Sequence, residues 1–205
     1  MRYAPRILAT LLLLLNSAWA MADASSAQDL VQQTSEQMVS ALKAEQGTIK
    51  SNPARVYALV DQIVLPHFDF QRMSSLVLGK YWRTATPEQQ AQFTQEFRNL
   101  LVRTYATAMT EYSGQQINYL PLKAAPDATD VTVKTEILQP GGPPVQVNYS
   151  LYQKDADWKV YDVVIENTSL VTNYRGSFAD QIRHTGLDDL IAQLAARSKR
   201  PTGSQ

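Results

Sequence analysis

Acid–base, nucleophilic or metal chemistry needs histidine, cysteine, activated serine or converging carboxylates, and this chain supplies few of them. Its 205 residues include no cysteine and two histidines, His67 and His184. Without thiols there are no disulfides, thiolate metal ligands, cysteine nucleophiles or cysteine-linked lipid anchors. Two histidines leave an imidazole metal site almost nothing to work with, so no metal and no cofactor is expected. No Gly-x-Ser-x-Gly elbow, His-Glu-x-x-His helix or glycine-rich phosphate loop occurs. His67-Phe68-Asp69 sets an imidazole near a carboxylate. Such close sequence neighbours rarely converge on one substrate, and the simpler reading is an exposed ring after a helix-ending proline. His184, just before Gly186, and the pair Asp188-Asp189 after it suit a helix C-terminus and a helix N-terminus respectively. Trp82 beside Arg83 could form a cation–π pair, but it serves more simply as an anchor to the core. Asp162, on the strand face opposite Tyr161, is the one acid–base candidate for a small hydrolase. Enzyme is the weaker class.

Charge excludes another class. Lys plus Arg number 19 and Asp plus Glu number 19, a balance that argues against nucleic acid, whose recognition needs a cationic surplus. Hydrophobic residues at 44% and charged residues at 19% describe a globular chain of single-domain length.

The elements that must position any site begin after an address. Arg2 and Arg6 precede the apolar run Ile7 to Leu15, and Ala18-Trp19-Ala20 follows, the three-part layout of a secretory signal peptide. The run is too short to span a bilayer core of ~30 Å. Residues 1–20 are therefore assigned as signal peptide, with Ala20-Met21-Ala22 as a second cleavage site. The remainder is expected to be exported, soluble, monomeric and periplasmic.

Residues 21–197 read as one domain, helical over 27–112, sheet over 115–167 and helical again over 170–197, with a polar tail at 198–205. In the first helix Leu30, Thr34, Met38 and Leu42 share a stripe. Asn52 and Pro53 look like the N-cap and first residue of a second helix, carrying Val56, Leu59, Val60 and Ile63 and stopped at Leu65-Pro66. Phe68 to Leu78 ends at Gly79, a C′ glycine. Thr86-Pro87-Glu88-Gln89 carries a capping box, and Phe93, Phe97, Leu100, Leu101, Tyr105, Ala108, Met109 and Tyr112 then form one apolar face over about seven turns. From residue 115 the period becomes two. Strands are predicted at 117–120, 130–138, 145–153 and 158–166, joined by tight turns into an antiparallel meander. Val131, Val133 and Ile137, then Val145, Val147, Tyr149 and Leu151, then Tyr161, Val163 and Ile165 fall on inward faces. The fold class is α+β: a curved antiparallel sheet of about four strands, covered by helices from the N-terminal half and the C-terminus.

The chain beyond the signal peptide holds nine tyrosines, two tryptophans and five phenylalanines. Tyr105, Tyr112, Tyr149 and Tyr161 lie on inward stripes, where a phenol needs a partner. Either these rings close an ordinary core, or sheet and long helix stay apart and enclose an apolar cavity. Periodicity leaves both open.

Two blocks carry a resemblance. Val64-Leu65-Pro66-His67-Phe68-Asp69-Phe70, Val77-Leu78-Gly79-Lys80-Tyr81-Trp82-Arg83 and Thr86-Pro87-Glu88-Gln89-Gln90 lead through Leu101-Val102-Arg103-Thr104-Tyr105 to Tyr112. Trp158 to Glu166 continues into Ser169-Leu170-Val171 and Asn173-Tyr174-Arg175. Together they resemble the MlaC-type periplasmic phospholipid-binding proteins, also called toluene-tolerance proteins. The resemblance implies a mixed helix–sheet fold that holds acyl chains in an internal cavity and leaves the headgroup at the surface. It also implies a shuttle between an outer-membrane lipoprotein–porin complex and an inner-membrane ABC transporter, with no catalytic residues.

Strand alternation and helix stripe then nominate the tail site. Val133, Ile137, Val147, Tyr149, Leu151, Val163 and Ile165 would line it from the sheet, and Leu76, Tyr105, Met109 and Tyr112 from the helices, Met109 being adaptable to varied chains. Tyr174 and Arg175 are rim candidates, with helix capping as their alternative. An exported adaptor or chaperone with an apolar peptide groove is the competing function.

Overall fold

The computed structural model describes residues 23–111, 114–155 and 157–198. The signal-peptide assignment, the tail beyond Ser198 and Tyr112 lie outside the described residues.

Local chemistry accounts for most helix boundaries. Helix α1 (Ser25–Ala44) buries Ala27, Val31, Met38 and Leu42, so its inward stripe is rotated slightly from the expected one. Helix α2 (Gln46–Ser51) follows, and here expectation and structure part. Asn52 is the C-cap of α2, not an N-cap, and Pro53-Ala54 form a turn before α3 (Arg55–Leu59). Asn52 still has its carbonyl engaged, by the Arg55 amide at 3.0 Å, but its side chain does not cap α3. A five-residue π-helical turn, Val60–Val64, continues α3, and a 3-10 turn at Leu65–His67 ends it.

Helix α4 (Phe70–Leu78) is capped by Asp69, whose carboxylate accepts from the Arg72 amide at 2.9 Å. It stops at Gly79, whose φ of +55° favours glycine. Arg175 crosses this glycine so closely that an added Cβ would lie 3.2 Å from its guanidinium. After α5 (Lys80–Thr84), α6 (Pro87–Tyr105) opens with the expected capping box: Thr86 Oγ1 accepts from the Gln89 amide and Gln89 Oε1 from the Thr86 amide. The α-helix ends at Tyr105, and Ala106–Glu111 tighten into 3-10 turns. The seven-turn helix is therefore shorter than expected, which turns Met109 onto a different neighbour.

Among the described residues the sheet is a five-stranded antiparallel meander, β1 (Gln116–Tyr119), β2 (Asp130–Leu138), β3 (Val145–Lys154), β4 (Asp157–Ile165) and β5 (Thr168–Ser169), in that spatial order. The two-residue β5 escaped the sequence because Glu166 and Asn167, both at positive φ, make a tight hairpin turn without a glycine. Register changes within the β3–β4 pair: Ser150 faces Asp162 but Leu151 faces Val160, leaving Tyr161 as an extra residue. This β-bulge puts Val160 and Val163 on the same face. Tyr161 consequently leaves the face it was expected to share with Val163 and Ile165, and its ring packs edge-on against Tyr152 at 5.8 Å on the other side. Thr135, which no apolar pattern flagged, joins the inward row and donates to the Val147 carbonyl at 2.7 Å.

Ser169 caps α7 (Leu170–Thr185), which ends at Gly186, and α8 (Leu187–Ser198) packs back on α6. Among the described residues the buried side chains fall into two clusters. The larger joins the inward sheet face to α4, α6, α7, α8 and the start of α1, with Phe93, Phe97 and Phe178 in mutual ring contact. The smaller comprises Met38, Leu42, Ile49, Val56, Leu59, Val60 and Ala106. Helix α1 and the end of α6 contribute to both.

Candidate lipid site

Tyr149 occupies the middle of β3, itself the middle strand. Its ladder partners are Val133 and Val163, and its same-face neighbours on β3 are Val147 and Leu151. Those four are 1%, 8%, 8% and 0% exposed, yet Tyr149 itself is only half-buried. Desolvation, then neighbouring Tyr119, pushes its phenol up to about 12 against the opposing hydrogen bond shared with Thr135. A side chain ringed by sealed neighbours, strongly desolvated and still accessible at its own surface, projects beyond a closed floor.

The other nominated residues are distributed over the sheet and the two clusters. Ile137 and Ile165 are half-buried on the same sheet face, while Leu151 and Val133 are sealed into the packed floor. Tyr105, the last residue of α6, shares a hydrogen bond with Tyr174, and desolvation followed by that neighbour raises its phenol to about 12. Met109 packs on the smaller cluster with Ile63 and Val102. Leu76 of α4 is half-buried against the larger cluster. The half-buried apolar residues thus come from both clusters.

Tyr119, the last residue of β1, shares a hydrogen bond with Ser35 of α1, and its phenol is raised chiefly by desolvation. A cleft of about 420 Å³ opens between α1 and β1 beside this contact. Sequence reading missed Tyr119, Ser35 and Ile117. The alternation of Ile117 and Tyr119 along β1 was the available signal, but a four-residue edge strand carries too little pattern to stand out.

The rim candidates sit differently. Tyr174 packs its ring against Phe97 at 5.4 Å and Phe178 at 5.3 Å. Arg175 is exposed and lies along Gly79.

The groups that could do chemistry are engaged in structure. Asp162 accepts from the amides of Val163 and Val171 at 2.8 and 3.1 Å and from Ser169 Oγ at 2.6 Å, which ties β4 to the start of α7. His67 does not meet Asp69. Burial, then nearby Lys159, holds its imidazole below its usual range despite Asp157. Asp69 instead accepts from Tyr152 Oη at 2.5 Å and Lys154 Nζ at 2.9 Å. Desolvation pushes its carboxyl up, but those bonds and the Arg72 amide together hold it below the ordinary value. Above them the Arg72 guanidinium lies 3.7 Å from the Tyr152 ring centre and 4.4 Å from that of Tyr161, a cation–π stack that clamps α4 to the sheet. His184 Nδ1 bonds to the Asp180 carbonyl at the end of α7, and Asp188 accepts from Gln89 at the start of α8, as their positions suggested. Among the described residues no group of histidine and carboxylate side chains could hold a metal ion, and no helix is long and apolar enough to cross a membrane.

Comparison with known proteins joins these observations. The family model for MlaC protein matches residues 32–196. The chain is 28% identical over 175 residues to the intermembrane phospholipid transport system binding protein MlaC of Haemophilus influenzae, covering 84% of this chain and 82% of that one. It is 32% identical over 166 residues to the toluene tolerance protein ttg2D of Pseudomonas putida, covering 80% and 77%. A solved structure of a phospholipid-binding protein from Ralstonia solanacearum, in complex with a phospholipid, superposes with a TM-score of 0.78 at 35% identity over 84% of this chain and 96% of that one.

Proposed function

The chain belongs to the MlaC protein family, and we propose from that premise that it is a periplasmic phospholipid carrier. Acyl chains lie between the inward sheet face and the smaller helical cluster, and the headgroup stays in water. The observation that carries this reading is the half-buried Tyr149 set among four buried neighbours, since a fully packed core would have closed over it. Tyr149, Ile137, Ile165, Val147 and Val163 face the tails from the sheet, with Leu151 and Val133 as backing. Tyr105, Met109 and Leu76 complete the wall, and Tyr174 and Arg175 lie toward its rim. No catalytic group takes part.

Energetics explain why a carrier needs partners. Each methylene withdrawn from water contributes ~0.8 kcal/mol, so two ordinary acyl chains with on the order of thirty methylenes contribute ~20 kcal/mol. Escape into the aqueous periplasm is then negligibly slow. Transfer proceeds only at a docked partner that offers a second apolar phase, here an inner-membrane ABC transporter complex and an outer-membrane lipoprotein–porin complex. Organic extraction and mass spectrometry of protein purified without detergent tests the reading. Stoichiometric phospholipid is expected; lipid-free protein of undiminished stability overturns it.

A further inference from the structure

The edge of the sheet departs from the packing seen elsewhere. Helix α1 packs across β2 and β4, and between it and the edge strand β1 lies the cleft of about 420 Å³. Ser35, Glu36, Val39 and Lys43 line it from the helix, and Ile117 and Tyr119 from the strand. The helical residues recur at about one-turn intervals and so form a single stripe. Lys43 lies about 12 Å along the helix axis from Ser35 at a rise of 1.5 Å per residue.

That stripe has a direction. Lys43 is exposed in the last turn of α1, Val39 and Ile117 are half-buried, and Ser35 bonds to Tyr119. Tyr119 in turn is close enough to Tyr149 to perturb its phenol. Surface charge, Lys43 at one end and the exposed Glu36 beside Ser35, thus flanks half-buried apolar side chains that lead to the deep residue of the proposed tail site. Moving β1 aside breaks its four-residue ladder with β2, the adjoining Leu120–Lys134 and Asn118–Glu136 bonds and the Tyr119–Ser35 bond, and leaves the central strands paired. The groove of about 310 Å³ beside Asp69, Arg72 and Tyr152 has no comparable lead inward, because its walls are the ion-paired clamp of α4.

We propose that the α1–β1 cleft is the portal through which acyl chains enter and leave, with Lys43 holding the lipid phosphate at its mouth. The proposal rests on the carrier reading, and its test separates the two. The chain has no cysteine, so Val39→Cys with Ile117→Cys introduces the only thiols, which a cleavable bis-maleimide can bridge. Lipid-free bridged protein, checked by circular dichroism, is mixed with vesicles containing fluorescent phosphatidylglycerol and compared with the same sample after linker cleavage.

Loading slowed about tenfold or more and restored by cleavage is expected of a gate. Equal rates before and after cleavage overturn the portal while leaving the carrier intact. Wild-type protein that never acquires lipid overturns the carrier reading itself. Should the pair fail to fold, Val39→Cys with Gln116→Cys, on the outer end of the strand, repeats the test. Lys43→Gln is expected to slow loading about threefold, the scale of an exposed charge contact. An unchanged rate removes the phosphate contact, and a wild-type rate lowered equally by inorganic phosphate assigns Lys43 to free anion instead of headgroup.

Discussion

Leu151 and Ile165 lie on neighbouring strands of the same sheet face, the first completely sealed and the second half-buried. Truncating either to alanine removes three carbons, worth about 2.4 kcal/mol of transfer free energy at ~0.8 per methylene. At Leu151 the lost atoms also leave a cavity, so Leu151→Ala is expected to cost about 3–4 kcal/mol. At Ile165 part of the side chain already faces open space and no enclosed void forms, so Ile165→Ala should cost about 1.5–2 kcal/mol in lipid-free protein. A domain of this size loses roughly 2–4 °C of Tm per kcal/mol, giving drops of about 6–16 °C and 3–8 °C respectively. Bound tails then seal the open surface, so the Ile165→Ala cost should rise by about 0.5–1 kcal/mol on loading while that of Leu151→Ala stays put. Urea denaturation of both variants, with and without phospholipid, measures the gap. Equal costs in lipid-free protein would refute the hollow, because Ile165 would then sit in core as tight as that around Leu151.

Val147 is buried beside the half-buried Tyr149, so Val147→Arg should abolish co-purified lipid while circular dichroism still reports helix, the longer side chain extending into the space that Tyr149 faces; global unfolding would mean that no such space lies above Val147. Asp69→Asn should destabilise by about 2–3 kcal/mol at neutral pH through loss of charge-assisted bonds to Tyr152 and Lys154. The folded carboxyl lies below its unfolded value, so its contribution is present above the unfolded pKa and lost as pH falls through the folded one. The wild-type advantage over Asp69→Asn should therefore shrink in acid melts below about pH 4, and a constant difference would deny the linkage. Ser74 is fully buried with its hydroxyl unpartnered, so Ser74→Ala should raise stability by about 1 kcal/mol in chemical denaturation. Gly79→Ala should cost at least about 1–2 kcal/mol from its left-handed backbone alone, and trimming Arg175 should relieve only the added steric part.

What the chain order determined by itself was local. The capping box at Thr86, the stop at Gly79, the strand spans 130–138 and 145–153 and the outward use of His184 and Asp188 depend on residues within a turn or a ladder of one another. Period and turn chemistry suffice there. The inward row of Val131, Val133, Val147 and Leu151 was legible for the same reason. Tertiary structure alone decided the rest. The bulge that expels Tyr161 is a mismatch between two strands, invisible along either one. Asn52 became a C-cap because α2 forms ahead of it, and local signals at Asn52-Pro53 fit either role. Alternation assigned Leu151 and Tyr149 to the same face, but only the helices packed above it determine that Leu151 is sealed and Tyr149 is not. A space is set by atoms distant in sequence that fail to meet, so no run of neighbouring residues can encode it alone.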